Sequence, residues 1–203
     1  QKGNNNTAFA SQSNHDNKAY QTQTGDWNKA TIWQDQIAAP ASALGGFDKA
    51  TQVQTGKHNE AIIDQGTTGN EKPTGAPFNA AQLAAVNAVS VPFAPHNTNE
   101  ATQTQNGDGN YAYATQGGVK NQSWQTQKAP AGTAVADGNK SYHYQYGEEN
   151  KATTTQDGTK LKESTLQIGN KNTATVTQTG ASHASVAFSL GNMNTITVTQ
   201  SGM

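Results

Sequence analysis

The sequence predicts an all-β protein: a parallel β-solenoid of seven 22-residue coils, two strands to a coil, with polar Asn/Gln ladders in the core and three loop insertions. Three observations predict it. A seven-residue phrase, N-x-A-x-x-x-Q, recurs in steps of 11; odd and even copies of the phrase differ; and the face that repeats is made of amides and small residues in place of aliphatics.

The phrase is clearest from Asn17 to Gln34, where two copies flank the linker Thr24-Gly25-Asp26-Trp27. Side chains alternate across a strand, so Asn17, Ala19, Gln21 and Gln23 share one face while Lys18, Tyr20 and Thr22 share the other. The uniform face is the one that packs against copies of itself.

Taken in order, units begin at Asn6, Asn17 and Asn28, at Asp48 and Asn59, at Asn99, Asn110 and Asn121, and at Asn139, Asn150, Leu161, Asn172, His183 and Asn194. The seventh position is Gln12, Gln23, Gln34, Gln54, Gln65, Gln105, Gln116, Gln127, Gln145, Gln156, Gln167, Gln178 and Gln200, with Ser189 the one exception among the 14 units. The third position is Ala or Ser in all units but two, which carry Glu163 and Ile196. Gly25, Gly56 and Gly107 stand in the linkers, where a tight turn needs a positive φ.

Alternating strands and turns fit a meander of hairpins as well as a coil. The fifth position decides between them. Odd units place Ala10, Ile32, Ile63, Ala114, His143, Thr165 and Ala187 there, and even units Gln21, Gln52, Gln103, Gln125, Thr154, Val176 and Val198. Outward residues split the same way: aromatic and aliphatic in odd units (Phe9, Trp33, Tyr111, Tyr113, Tyr142, Tyr144), threonine-rich in even ones. Two unlike faces imply two parallel sheets, each receiving one strand per coil, stacked about 4.7 to 4.8 Å apart.

The repeat frames residues 1–5 as a short N-terminal segment and 6–203 as one solenoid domain, with insertions near 35–47, 66–98 and 128–138. The first two leave the same edge and the third the opposite edge. In the long one, Phe78 to Asn87 is alanine-rich and suits a short helix, ended by Pro92 and Pro95.

An amide carries a donor and an acceptor, so each Asn or Gln can bond the copies above and below it. The asparagine column (Asn6, Asn17, Asn28, Asn59, Asn99, Asn110, Asn121, Asn139, Asn150, Asn172, Asn194) and the glutamine column are therefore the core ladders. Leu161 and Glu163 in the eleventh unit, and His183 and Ser189 in the thirteenth, break the columns, so those coils are expected to be the least regular. A buried Glu163 is costly; either its unit splays, or Lys160 or Lys162 compensates it.

Composition sets what else the chain can be. With 203 residues, 32% hydrophobic content, net charge −1 and no cysteine, it has neither a large aliphatic core nor the charge excess of a disordered chain. Disulfides and thiolate metal sites are excluded. No apolar run approaches a membrane span, so no membrane insertion is expected, and no basic run offers a footprint for nucleic acid. No secretory leader opens the sequence, so an exported form is expected to be already processed.

No nucleophile, base and orienting group recur at a usable spacing, and no phosphate-binding loop is present. The expectation is no enzyme, no catalytic residue and no cofactor. The inward His143 and His183 lie two coils apart in different columns and define no metal site. Asp26, Asp108 and Asp157 sit beside glycine in turns.

These residues resemble the curlin repeat, S-x5-Q-x-G-x2-N-x-A-x3-Q: Asn17 to Gln34 reads N-x5-Q-x-G-x2-N-x-A-x3-Q, matching at Gln23, Gly25, Asn28, Ala30 and Gln34. Asn99 to Gln116 and Asn139 to Gln156 match similarly. The leading serine is mostly asparagine here, and the insertions interrupt the array. The resemblance implies a major curli subunit: export through an outer-membrane secretion pore, nucleation by a second subunit, and a homopolymeric extracellular amyloid fibre at the bacterial cell surface that supports adhesion in biofilm. It also suggests that the turn aspartates act as gatekeepers against early aggregation.

Neither end of the array carries a cap in the sequence. Asn6, Ala8, Ala10 and Gln12 at one end, and Asn194, Ile196, Val198 and Gln200 at the other, are expected to be the self-assembly edges. Two other readings use the same coil. The Thr173-x-Thr175-x-Thr177 and Thr195-x-Thr197-x-Thr199 arrays resemble ice-binding β-solenoids, and a monomeric surface adhesin could be built on the same scaffold.

Overall fold

In a computed structural model the described residues are 1–13, 15–34, 46–66, 78–88 and 98–202. They form fourteen strands: β1 (Thr7–Gln12), β2 (Lys18–Thr24), β3 (Lys29–Gln34), β4 (Lys49–Thr55), β5 (Glu60–Gln65), β6 (Glu100–Asn106), β7 (Tyr111–Val119), β8 (Gln122–Lys128), β9 (Lys140–Glu148), β10 (Lys151–Thr159), β11 (Lys162–Ile168), β12 (Thr173–Ala181), β13 (Ala184–Leu190) and β14 (Thr195–Gly202). Odd strands make one seven-stranded sheet in the order β1-β3-β5-β7-β9-β11-β13, and even strands make the other. Every pairing is parallel. Each odd strand and the even strand after it form one coil, numbered 1 to 7 from β1.

Register follows the repeat phrase and is kept across the insertions: Lys18 lies opposite Lys49, and Glu60 opposite Tyr111. Inward positions are fully buried in the middle coils and progressively open at the ends. In β4 the pattern alternates strictly, whereas β1 is exposed at all but Ser11.

The turns need glycine for two reasons. Gly25 has φ +108°, and a Cβ there would sit 2.0 Å from the Gly56 carbonyl oxygen of the next coil. Close stacking therefore forbids a side chain even where strain alone could be borne. A second left-handed residue, not glycine, stands just before most units, among them Asn5, Trp27, His58, Lys171 and Met193. Its cost is offset by a backbone bond to the neighbouring coil, as when Trp27 N donates to Asn4 O at 3.0 Å and His58 N to Asp26 O at 3.1 Å.

The short N-terminal segment 1–5 lies against coil 1, where Lys2 bridges Thr24 in parallel and Gly25 N donates to Lys2 O at 2.8 Å. Two expectations are corrected. The coils with broken columns are as regular as the others, since β11 pairs with β9 and β13 over its whole length. Asp157 lies within β10, not in a turn, and faces Lys128 at 3.3 Å.

Much of the first two insertions, including Pro92, Pro95 and His96, lies outside the described residues. The helix expected after Phe78 is α1 (Ala80–Ala88). Asn79 caps it, accepting from Gln82 N at 2.9 Å while Gln82 Oε1 accepts from Asn79 N at 2.8 Å. Phe78 and Leu83 fold over the outer face of the odd sheet against Tyr144, Tyr146, Leu166 and Ile168, burying part of its aromatic surface. In the third insertion, the 3-10 turn Val135–Asp137 stands at the edge between β8 and β9, tied by Gly132 N to Asp108 Oδ2 at 2.6 Å.

Candidate functional site: amide ladders and open sheet ends

Along the odd sheet, Gln12 Nε2 donates to Gln34 Oε1, and the chain of bonds continues through Gln65, Gln116, Gln145 and Gln167 at 2.7 to 2.9 Å. Along the even sheet it runs from Gln23 through Gln54, Gln105, Gln127, Gln156 and Gln178 to Gln200. In the middle coils the second hydrogen of the amide goes to a backbone carbonyl across the core, as from Gln105 to Glu60 O at 2.9 Å. Both donors are there satisfied, which is what permits amides to be buried.

Asparagines run in the opposite sense. Asn28 gives both its backbone N and Nδ2 to Asn6 Oδ1, and Asn59 does the same to Asn28. Asn110 continues to Asn59, and Asn139 N reaches Asn110 Oδ1 at 3.4 Å. On the other edge each backbone N donates to the side-chain oxygen one coil before it, from Asp48 to Asn17 and on through Asn99, Asn121, Asn150, Asn172 and Asn194. At Leu161 the side-chain ladder stops, yet Leu161 N still donates to Asn139 Oδ1 at 3.2 Å, so an apolar residue costs the column one link.

Glu163 is the main departure from expectation. Its unit is not splayed, and neither lysine compensates it: Lys160 pairs with Asp137 at 3.3 Å and Lys162 is exposed. The carboxyl is fully buried with His143, whose Nε2 is 3.6 Å from Glu163 Oε2. Ser141 Oγ donates to Glu163 at 2.8 Å, and Thr165 Oγ1 donates to its other oxygen. His143 bonds Ser123 Oγ at 2.8 Å through Nδ1 and Thr154 Oγ1 at 2.7 Å through Nε2. Gln125 joins the group by donating to Ser141 Oγ at 2.9 Å.

Burial pushes Glu163 up to about 7, against the opposing pull of its hydroxyl donors, and pushes His143 down to about 3. Both directions favour neutral groups, so the approach is a contact of two neutral side chains in mildly acidic solution rather than an ion pair. The sequence signals were there, in that His143, Thr154, Thr165, Ser141 and Ser123 all occupy inward positions of adjacent units. Reading each column separately hid them, because the cluster crosses from one column to the next.

β1 and β2 are the first strands of the two sheets and β13 and β14 the last, with Lys2 bridging the outer side of β2 at Thr24. Ala8, Ala10 and Gln12 are exposed and Asn6 half-buried; Asn194, Ile196, Val198 and Gln200 are half-buried. Among the described residues no group of three or more His, Cys, Asp or Glu could hold a metal, and no helix is long and apolar enough to cross a membrane.

These features define a class: a parallel, two-sheet β-solenoid whose interior is stitched by amide ladders. The family model described as Curlin associated repeat matches residues 167–202, and the strands stacked on that segment keep its register. No curated protein and no solved structure is significantly similar to it.

Proposed function

We propose that the protein is a structural subunit that self-assembles head to tail into an extracellular, curli-like amyloid fibre of a bacterial biofilm matrix. The observation that carries this reading is the complementarity of the two ends. At coil 7, Gln200 Nε2 donates to Ala184 O with no glutamine beyond it among the described residues, and Asn194 donates inward to Asn172, leaving its acceptor facing outward. At coil 1 stand β1 and β2, the first strands of the two sheets, in the same parallel register as the strands that follow them. Joining the ends extends the glutamine and asparagine ladders of the even sheet, while the odd sheet meets the joint with His183 and Ser189, and two unlike complementary ends produce an open polymer.

Each added subunit lengthens the fibre by about seven strand spacings, roughly 33 Å. Export through an outer-membrane pore and help from a nucleator subunit belong to the same proposal and rest on the family resemblance. The role is structural, with no reaction and no cofactor. Purified protein left quiescent at micromolar concentration is expected to form unbranched fibres with a meridional reflection near 4.7 to 4.8 Å. A sample that stays monomeric for days, as an adhesin or an ice-binding solenoid should, refutes the reading.

A further inference from the structure

The two sheets differ in what lies over them. On the odd sheet the outward residues Asp64, Thr115, Ser164 and Leu166 are buried, and Phe78 and Leu83 pack across Tyr144 and Leu166. On the even sheet every outward position is exposed or half-buried, from Lys18 in β2 to Ser201 in β14. Four outward columns run along that face. The inner two are mostly threonine, among them Thr102, Thr104, Thr153 and Thr155, with Tyr20 and Trp124 as their aromatic members. The outer two carry the charges: Lys18, Lys49, Glu100 and Lys151 near the starts of their strands, Lys128 and Asp157 near the ends.

Seven strands about 4.7 to 4.8 Å apart, each presenting about 20 Å of its length, make a face of roughly 650 to 700 Å². Two such faces in contact remove about 1,300 to 1,400 Å² from water, within the range of about 1,200 to 2,000 Å² that specific, stable interfaces bury.

The charges choose between two ways of joining identical faces. A twofold axis parallel to the stack sets each strand opposite its own copy, running the other way, so the column at the strand starts faces the column at the strand ends. Lys151 then meets Asp157 of the second copy, twice in each pair, and Gln122 meets Lys128. Trp124 falls opposite Thr126 and Tyr20 opposite Thr22, large against small, and no two like charges are opposed. The Asp157 side chain is 54% exposed although Lys128 Nζ reaches it at 3.3 Å, so it can accept a second ammonium. A twofold axis along the strands reverses the stack instead. It gains a contact of Glu100 with Lys151, but β8 lies on β8, so Lys128 meets Lys128 and Trp124 meets Trp124.

We infer that the open face of the even sheet binds the same face of a second copy about a twofold axis parallel to the stack, with a threonine seam at the centre and Lys151 to Asp157 contacts at the margins. The pairing uses the faces of the sheets and not their ends, so it does not rest on the head-to-tail reading. A twofold pair closes at two copies.

Sedimentation equilibrium of freshly diluted protein from about 1 to 100 µM measures the pairing, since interfaces of this size reach micromolar affinity or better. The wild type is expected to approach twice the mass of the chain. Lys151→Glu and Asp157→Lys each set like charges opposite one another, and Thr126→Lys puts a charge in the seam against Trp124; each is expected to raise the dissociation constant about tenfold or more. The double variant Lys151→Glu/Asp157→Lys restores opposite charges and should return to within about threefold of the wild type. Lys162→Glu makes the same charge change on the odd sheet and should leave the pairing as it is.

Protein that stays a single copy at the top of that range overturns the inference. So does a pairing that the double variant fails to restore, or that Lys162→Glu weakens as much as Lys151→Glu does. Thermal hysteresis from unpaired protein gives the threonine face to ice and also overturns it. The fibre reading stands or falls separately, on the quiescent sample.

Discussion

Replacing Glu163 with glutamine isolates an ionisable pair that the core encloses. Glu163 is raised from its ordinary value of 4.5 to about 7 by burial, so the folded chain keeps a proton that the unfolded chain releases. A group raised in the folded state stabilises fully below its unfolded value and loses that contribution as pH climbs through the folded one. At about 1.4 kcal/mol for each tenfold change, the rise is worth about 3 kcal/mol, lost between roughly pH 5 and 7.5. Since a domain is stable by about 5 to 15 kcal/mol, that is a sizeable part of the whole.

His143 works in the other direction. Lowered from 6.5 to about 3, it stabilises fully above 6.5 and loses its contribution as pH falls toward 3. The monomer is therefore expected to be most stable from about pH 4.5 to 6.5 and weaker on either side. Glu163→Gln removes the alkaline limb and leaves the acid limb. Urea unfolding of freshly diluted monomer, followed by tryptophan fluorescence from pH 3.5 to 8.5, measures both. The two contributions oppose each other between about pH 4.5 and 6.5, so the wild-type midpoint is expected to be nearly flat there and that of Glu163→Gln to rise, and the reasoning is refuted if the variant is as flat as the wild type across that range.

Gln105→Ala removes a fully buried amide bonded to Gln54, Gln127 and Glu60 O, and is expected to cost about 2 to 4 kcal/mol in the same urea assay; Gln12→Ala, exposed at the end of its column, should cost under about 1 kcal/mol. Gly107→Ala drives a Cβ to 1.7 Å from the Ala129 carbonyl and should prevent a native midpoint, whereas Gly132→Ala, with nothing within 4 Å, bears only the strain of its φ of +83° and should cost about 1 kcal/mol. Phe78→Ala strips the cover from Tyr144 and Leu166, so dye binding to hydrophobic surface should rise and stability fall by about 3 kcal/mol.

The solenoid was legible because its rule is local in sequence and repeated: alternation names the inward residues, and the difference between Ile32 and Gln52 at equivalent positions separates the two sheets. What the rule could not supply was whatever depends on neighbours in adjacent columns. Glu163 reads as a fault when compared with the small residues above and below it, Ser141 and Ser185. Against His143 and the hydroxyls of Ser141, Thr154 and Thr165, it is a neutral acid with donors on both oxygens. The fold-back of Phe78 was hidden for a similar reason, since nothing in an insertion's own sequence says which sheet face it will cover.

The N-terminal rung is the opposite case, a feature the repeat rule contains and a unit-by-unit reading overlooks. Counting units from their first asparagine makes Gln1 to Asn5 look like leftover residues, but the 22-residue period assigns Gln1 to the glutamine column and Gly3 to the turn that Gly25 occupies. A stack of parallel strands has no natural stop, because each coil presents what the next one needs. A chain built on that principle controls its length through whatever sits on the end coils.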